Sequence, residues 1–308
     1  MMNESKIQID KEYIHWQNRL FNNSLRRKAK LKRIKLLLGN TTQLNCLEIS
    51  AGDGVISEKL RKHGGTWTSI GINEKASESL TQFHLTNIPF FEGEKFPFAD
   101  GYFDLLVIVD SLKNITDDYA FIQECHRIIN NSGLVVISER KRTPFSFIGF
   151  IQKIFKITPI DYECSRNGYS KDQIYRILKD GFDVPETIYY SNALLEFIAS
   201  IGDVIQKKIN DLPIWLLSKD LDQKKLYNYR TLNLIAKFTY PLYWFFSFFN
   251  FFPRQEMLLK SRRRKWRPRR QPKLIDGRSI AEATINTKIG SAAPFRENLC
   301  HTNKLKKL

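Results

Sequence analysis

The sequence is poor in the residues that staple or ligate. Its 308 residues include four cysteines, Cys46, Cys125, Cys164 and Cys300, spread far apart and without a C-x-x-C pair. Neither a disulfide framework nor a zinc-type cluster is expected, and no metal is assigned; a reducing compartment suits such thiols. Internal repeats and low-complexity linkers are absent. No uncharged apolar stretch reaches the roughly 20 residues that a spanning helix needs. The opening MMNESKIQIDKEYIHW lacks the apolar centre of a signal peptide, so the expected location is cytoplasmic. Acidic residues are also short, 32 Asp/Glu against 49 Lys/Arg, for a formal net charge of +17.

That charge is unevenly placed. Residues 1–40 carry 10 Lys/Arg and 3 Asp/Glu, residues 254–308 carry 16 and 4, and residues 41–253 carry 23 and 25. A nearly neutral centre with basic ends points to polyanionic partners, either anionic lipid headgroups or nucleic acid. With 42% hydrophobic residues, the chain has enough apolar surface for a sizeable core.

Residues 11–38 read as one amphipathic helix, with Tyr13, Trp16, Leu20, Phe21, Leu25, Ile34 and Leu37 at about helical spacing and Gly39-Asn40 as its stop. Such a stripe ordinarily packs on the neighbouring domain. From Asn45 the pattern alternates between strands and helices. Strands are expected at 45–49, 67–72, 88–91, 103–109 (FDLLVIV), 133–138 (GLVVIS) and 183–190, with helices at 54–62, 76–84, 117–129 and 170–179. This β-α-β order with strands apolar on both faces predicts an α/β fold. It would be a Rossmann-like, doubly wound, mostly parallel sheet with helical N-terminal and C-terminal additions.

Residues 144–157 are apolar and aromatic and stand where such folds carry a cover over the ligand crevice. Residues 193–209 are again helical in pattern, so the sequence does not place a further strand there. Residues 238–253 (FTYPLYWFFSFFNFFP) carry no charge, and basic bursts follow at Arg254 and at 262–270. Aromatics favour the bilayer interface and Lys/Arg favour anionic headgroups. This segment therefore reads as lying in a membrane surface; the alternative is a helix buried against the central domain. The expected organisation is a basic amphipathic helix at 1–40, a ligand-binding α/β domain at 41–192, a helical aromatic-rich segment at 193–253 and a basic tail at 254–308.

The chemistry is concentrated after the first strand, which runs into Glu48-Ile-Ser50-Ala51-Gly52-Asp53-Gly54 and then a helix. Glycines there let backbone approach a ligand without Cβ obstruction, and the crevice beyond the carboxyl ends of parallel strands is where such sheets bind ligands. Downstream come Asn73-Glu74 at the end of the second strand and Glu92-Gly93-Glu-Lys-Phe96-Pro97-Phe98-Ala-Asp100-Gly-Tyr-Phe103-Asp104 before a buried strand. These are followed by Glu124-Cys-His-Arg127 ahead of Ser132-Gly133, and by Tyr169-Ser170 with Gly181-Phe182. A dinucleotide-binding G-x-G-x-x-G is missing.

In this order the motifs resemble those of class I S-adenosylmethionine (SAM) methyltransferases, most closely the broad group containing the ubiquinone and menaquinone biosynthesis enzymes. The resemblance implies SAM as cofactor. It implies that Glu48, Ser50, Ala51, Gly52, Asp53 and Gly54 form the loop holding its methionine part, with Ser50 where a glycine is usual. Asn73, at the usual acidic position, and Glu74 would face the ribose. Glu92, with Gly93, would contact the adenine amino group, and Phe96 would line the adenine pocket. The relatives' H-x-L-E-H is here Asp110-Ser-Leu112-Lys-Asn114, without either histidine. Asp110, ending a buried strand, is the candidate for contacting SAM or acting as base; the alternative is a strand-end residue bonded to backbone. Likewise Glu48 could instead cap the following helix. Asp104 is expected to order the turn that opens its strand, and His63, His84 and His126 to be surface or packing residues.

Three functions follow as expectations. The first is methyl transfer to a small-molecule, lipid, quinone or lipid-linked glycan acceptor, by a protein peripheral on the inner face of a membrane. The second, less favoured because no RNA-binding module accompanies the basic ends, is RNA methylation. The third is a non-catalytic SAM-fold scaffold.

Overall fold

The computed structural model describes residues 2–85, 95–142, 168–192, 195, 221–246, 248 and 254–267; the expected strand at 88–91, the cover at 144–157 and most of the helical pattern at 193–209 lie outside them. One compact unit spans Met1–Trp266. Its described elements are helices α1 (Met2–Asn22) and α2 (Leu25–Leu38), strand β1 (Asn45–Ser50), α3 (Val55–Arg61), β2 (Thr66–Gly71), α4 (Glu74–Gln82), β3 (Phe103–Val109), α5 (Asp118–Ile128), β4 (Ile129–Arg140), α6 (Lys171–Leu178), β5 (Phe182–Asn192), α7 (Leu221–Phe246) and β6 (Arg254–Arg263).

The six strands form one sheet in the order β2-β1-β3-β4-β6-β5. The first four run parallel, while β6 is antiparallel to both neighbours. Side chains alternate between two cores, as a pleated strand requires. Leu47, Ile49, Leu106, Ile108, Val135, Ile137, Met257 and Leu259 face Phe121, Ile122 and Cys125 of α5 and Ile174 and Leu178 of α6. Cys46, Leu105, Val107, Val109, Val136 and Leu258 face Tyr13 and Phe21 of α1, Leu31, Ile34 and Leu37 of α2, and Val55 and Leu60 of α3. Helices on both faces of a mostly parallel sheet make the doubly wound α/β architecture that the strand-helix alternation predicts.

Two features differ from the sequence expectation. The helix expected over 11–38 is two helices: Asn23 and Ser24 break it, and Ser24 caps α2 by accepting a hydrogen bond from the Arg27 N–H, the ordinary role of serine at a helix start. The tail expected from 254 begins with a strand. β6 inserts between β4 and β5, where Gln255, Glu256, Met257, Leu258 and Leu259 are all buried. Other local expectations hold in place. Gly39, at φ +68°, ends α2, and Asp104 accepts from the Asn45 N–H and from Asn130, tying the starts of β1, β3 and β4. His126 packs between Phe182 and Trp266.

Candidate cofactor site

The strand order reverses at β1, whose two sheet neighbours are β2 and β3. In open α/β sheets ligands bind beyond the carboxyl ends of the strands at such a reversal. Here the ends of β1 and β3 are stitched together: the Ala51 N–H donates to the Val109 carbonyl at 3.3 Å, and Ser111 Oγ donates to the Ile49 carbonyl at 3.1 Å. The end of β2 joins through the Ile72 N–H and the Ser50 carbonyl, 3.0 Å apart. The structure thus brings Ser50, Ala51, Gly52, Asp53, Gly54, Asn73, Glu74 and Asp110 to one edge of the sheet. Glu92 and Gly93 lie outside the described residues.

The loop between β1 and α3 has the backbone that its residues demand. Gly54 sits at φ +80°, and a Cβ there would stand 3.0 Å from the Phe83 ring, so only glycine fits. Among the described residues, a Cβ on Gly52 would meet Ser50 Oγ alone, at 3.2 Å. Ser50 also steadies the turn by accepting from the Gly52 N–H at 3.0 Å. Asp110 occupies a left-handed conformation, φ +53°, uncommon for a residue with a Cβ and typical of functional strand ends.

Several predicted residues take roles that the sequence did not assign them. Glu48 is 0% exposed and accepts from Ser69 Oγ at 2.8 Å. Burial pushes its carboxyl above the usual range, against the opposing pull of Ser57, Ser69, Arg61 and Ser50. It lies inside the packing and not on the open edge of the crevice. Asn73 Oδ1 accepts from the Ala76 N–H at 2.9 Å and so caps α4, leaving its amide nitrogen as the group able to meet a ribose hydroxyl; Glu74, next to it, is exposed. Phe96 is buried against Phe121 and Phe98. Arg127 fixes the Phe96–Asp100 turn: its guanidinium donates to the Phe96 and Phe98 carbonyls at 3.0 and 2.7 Å, to Asp100 at 2.7 Å and to Glu124 at 2.8 Å.

The largest departure is the role of α2. Its first two turns carry Arg26, Arg27 and Lys30 to three strand ends. Arg27 pairs with Asp53 of the glycine loop. Lys30 Nζ lies 2.7 and 2.6 Å from the two Asp110 oxygens and 3.3 Å from Glu256. Arg26 reaches Glu256 at 3.0 Å. Burial works against the charge on Lys30, but Asp110 and Glu256 outweigh it and raise its pKa. Burial likewise opposes ionisation of Glu256, and Lys30, Arg26 and Arg140 more than reverse that, holding it below the usual carboxylate range. Beside this cluster Glu139, fully buried, accepts from the Leu112 N–H at 2.6 Å. It is pushed up to about 8, by burial first and then by Asp110. A signal for Lys30 was present in the sequence: it stands one helical turn before Ile34 on the apolar stripe, where an unpaired lysine would be costly.

The residue types at this edge suit a SAM molecule: a small-residue turn ends β1 at the strand reversal, and the ion-paired Asp53 and Asp110 stand beside it. Among the described residues no group of three or more His, Cys, Asp or Glu is placed to hold a metal.

A family model described as a methyltransferase domain matches residues 47–137. A ubiquinone biosynthesis O-methyltransferase of Nitrosomonas europaea is 22% identical over 130 residues, covering 39% of this chain and 53% of that protein. The ubiquinone/menaquinone biosynthesis C-methyltransferase UbiE of Coxiella burnetii is 42% identical over 62 residues, 20% of this chain and 25% of that protein. The chain therefore spans about half the length of the first relative and a quarter of the second. Among solved structures, a SAM-dependent methyltransferase from Aquifex aeolicus superposes with a TM-score of 0.40 at 19% identity, covering 52% of this chain and 82% of that one. Geranyl diphosphate C-methyltransferase from Streptomyces coelicolor does so with a TM-score of 0.47 at 11% identity, covering 77% and 76%. The matched segment runs from the middle of β1 to the buried part of β4, through the glycine turn and Asp110, and over that segment the chain is similar to a methyltransferase domain.

Proposed function

We propose that the protein transfers the methyl group of SAM to a small-molecule, lipid, quinone or lipid-linked glycan acceptor at a membrane surface. The observation that carries the transferase reading is the convergence of the Ser50–Gly54 turn and Asp110 at the strand reversal, inside the segment that the family model matches. Methyl transfer from a sulfonium is an in-line displacement in which the cofactor supplies the reactive group and the protein positions both partners. Both Asp110 oxygens are held by Lys30, which suits Asp110 to fixing the shape of the crevice. The curated relatives include enzymes of quinone biosynthesis, and a quinone precursor with an isoprenoid tail belongs at a bilayer.

Support for the membrane comes from α7. Leu234, Phe238, Leu242 and Phe245 recur at helical spacing and are exposed by 57%, 78%, 51% and 52%; Trp244 and Phe248 extend the stripe. Residues 223–255 contain no Asp or Glu, and Arg254 and the basic residues of 262–270 follow. An apolar aromatic stripe beside cations suits an anionic interface. Among the described residues no helix is long and apolar enough to cross a membrane, so α7 would lie along the surface.

The test is incubation of purified protein with methyl-labelled SAM, host membranes and total RNA, followed by separation into organic and aqueous phases. Label in the organic phase is expected. Label in RNA would overturn the lipid-side reading and make the basic ends a substrate clamp. SAM binding without label anywhere would leave a non-catalytic scaffold.

A further inference from the structure

We infer that an anionic bilayer seats against the carboxyl-end edge of the sheet, the edge that holds the glycine turn, and that the acceptor is an amphiphile methylated with its tail still in the leaflet. The inference rests on the membrane reading of α7 and on the assignment of the Ser50–Gly54 turn to SAM.

The path of α7 carries the argument. Its contacts run in order along the two N-terminal helices. Arg230 donates to Glu12, midway along α1, at 2.8 Å. Asn233 accepts from Asn23, just past the end of α1. The Tyr240 ring lies under the ammonium of Lys28, 5.2 Å from its centroid, in the opening turns of α2. Lys28 stands among the residues that reach the strand ends: Arg26 and Arg27 before it, paired with Glu256 and Asp53, and Lys30 after it, paired with Asp110. Phe238, Leu242 and Phe245 are each more than half exposed and lie within about 8 Å of Tyr240 along the helix axis. The exposed aromatic half of α7 therefore comes beside the strand ends.

That edge is also cationic. The Asp110 N–H donates to the Ser138 carbonyl at 2.9 Å, so the residues that leave β4 after Ser138 stand next to Asp110. Lys141 and Arg142 are among them. The Lys141 N–H donates to the Gln255 carbonyl at 2.7 Å, which brings in Arg254, opposite Asn192 at the end of β5. Arg142 and Arg254 are exposed, and the half-buried Lys141 holds its ammonium 5.2 Å over the Tyr189 ring. Lys237, exposed, precedes Phe238. Aromatic groups favour the bilayer interface and Lys/Arg the anionic headgroups, so this edge matches such a surface in both respects. A bilayer seated there meets the acceptor's head at the level of the methyl donor. The acceptor's nucleophile forms the new bond to the methyl carbon, the pair of the broken S–C bond stays with sulfur, and the proton the nucleophile sheds passes to water among the headgroups.

The experiment acetylates the lysines of the full chain with a water-soluble ester, with and without vesicles of phosphatidylcholine and phosphatidylglycerol, and follows each lysine by mass spectrometry. Lys141 and Lys237 should both react several-fold more slowly with vesicles present. Lys62, 66% exposed where α3 turns back to the start of β2, should react at an unchanged rate. Shielding of Lys237 without Lys141 would put the bilayer elsewhere on α7 and overturn the inference while the membrane reading stands. Equal shielding of all three lysines would overturn it as well. So would slow labelling that needs no vesicles and follows protein concentration, which would place a second copy on this face. If no lysine is shielded and the protein does not float with the vesicles, the membrane reading itself fails. Host membranes incubated with the protein and methyl-labelled SAM, then washed in high salt, should keep the label in an extractable lipid. Label in the wash would overturn the acceptor class, and no label in either would fail the transferase reading.

Discussion

Lys30 sets its ammonium between the two oxygens of Asp110, although the residues are 80 positions apart in the chain. One comes from the helix that precedes the first strand and the other from the end of β3, in a backbone conformation that side chains rarely adopt. With Glu256 beside them, this cluster joins α2, β3 and β6 at the edge of the sheet where the glycine turn lies.

Removing the cation should therefore cost more than a surface ion pair does. Lys30→Met leaves Asp110 and buried Glu256 without their shared partner, and a loss of about 3–5 kcal/mol is expected in urea unfolding at neutral pH. Glu256 is held below the usual carboxylate range in the folded chain. The stability it contributes is present above the unfolded carboxylate value of about 4.3 and is lost as pH falls toward its lower folded value. The variant should show a shallower acid-side decline. A loss below about 1 kcal/mol would mean the pair is effectively solvated.

Glu139 gives the opposite slope. Its folded value, about 8, lies above the roughly 4.3 of an unfolded glutamate, so between these limits only the native state holds the proton. Stability should fall as pH rises through that window. Glu139→Gln mimics the protonated carboxyl. Urea melts at about pH 5 and about pH 8 should show the wild type losing more stability between them than the variant; parallel curves would contradict the assignment.

Gly52 tests the cofactor site without testing the fold. Among the described residues a Cβ there meets Ser50 Oγ alone, so Gly52→Phe is expected to remain folded, with a cooperative thermal melt. Its side chain would crowd the turn, and calorimetric binding of SAM should be lost. Unchanged binding would sink the site.

The α7 stripe makes a separate claim. Phe238→Glu combined with Phe245→Glu changes two exposed positions, for which stability effects of about 0.5 kcal/mol or less are usual. In flotation with vesicles containing anionic lipid, wild type should rise with the vesicles and the double variant should stay behind. Equal flotation would remove the membrane role of this face, and SAM binding by the variant should be unaffected in either case.

The parts of the molecule legible in the sequence were those specified by local pattern. The buried strands β1, β3 and β4 announced themselves as short apolar runs, and the helix expected at 170–179 is α6, opened by a capping box of Ser170 and Gln173. The glycine turn was recognisable because its backbone needs those residues. The misread parts depend on distant partners. β6 looked like the start of a basic tail because Arg254, Glu256, Lys260 and Arg262 interrupt its apolar centre. Glu256 is tolerated in the sheet only because Arg26 and Lys30, more than 220 positions earlier, neutralise it. Glu48 and Phe96 sat in recognisable motifs, but their burial against Ser69 and Phe121 depends on partners far along the chain that the motifs do not name. The split between α1 and α2 was signalled by Asn23-Ser24, whose capping chemistry yields to helix propensity in a reading by periodicity alone.

The late insertion of β6 also sets an order of assembly. Among the described strands β5 pairs with β6 alone, so when residues 182–192 leave the ribosome the strand that pairs with them is not yet made. They wait until residues 254–263 follow, and then β6 must pair on both edges at once, with β4 and with β5. Closing so long a loop is slow compared with local pairing, and an unpaired strand edge invites association with other chains. For this protein the hazardous interval of synthesis falls between β5 and β6, and a chain stopped anywhere within it would leave open the edges of β4 and β5 that β6 later covers.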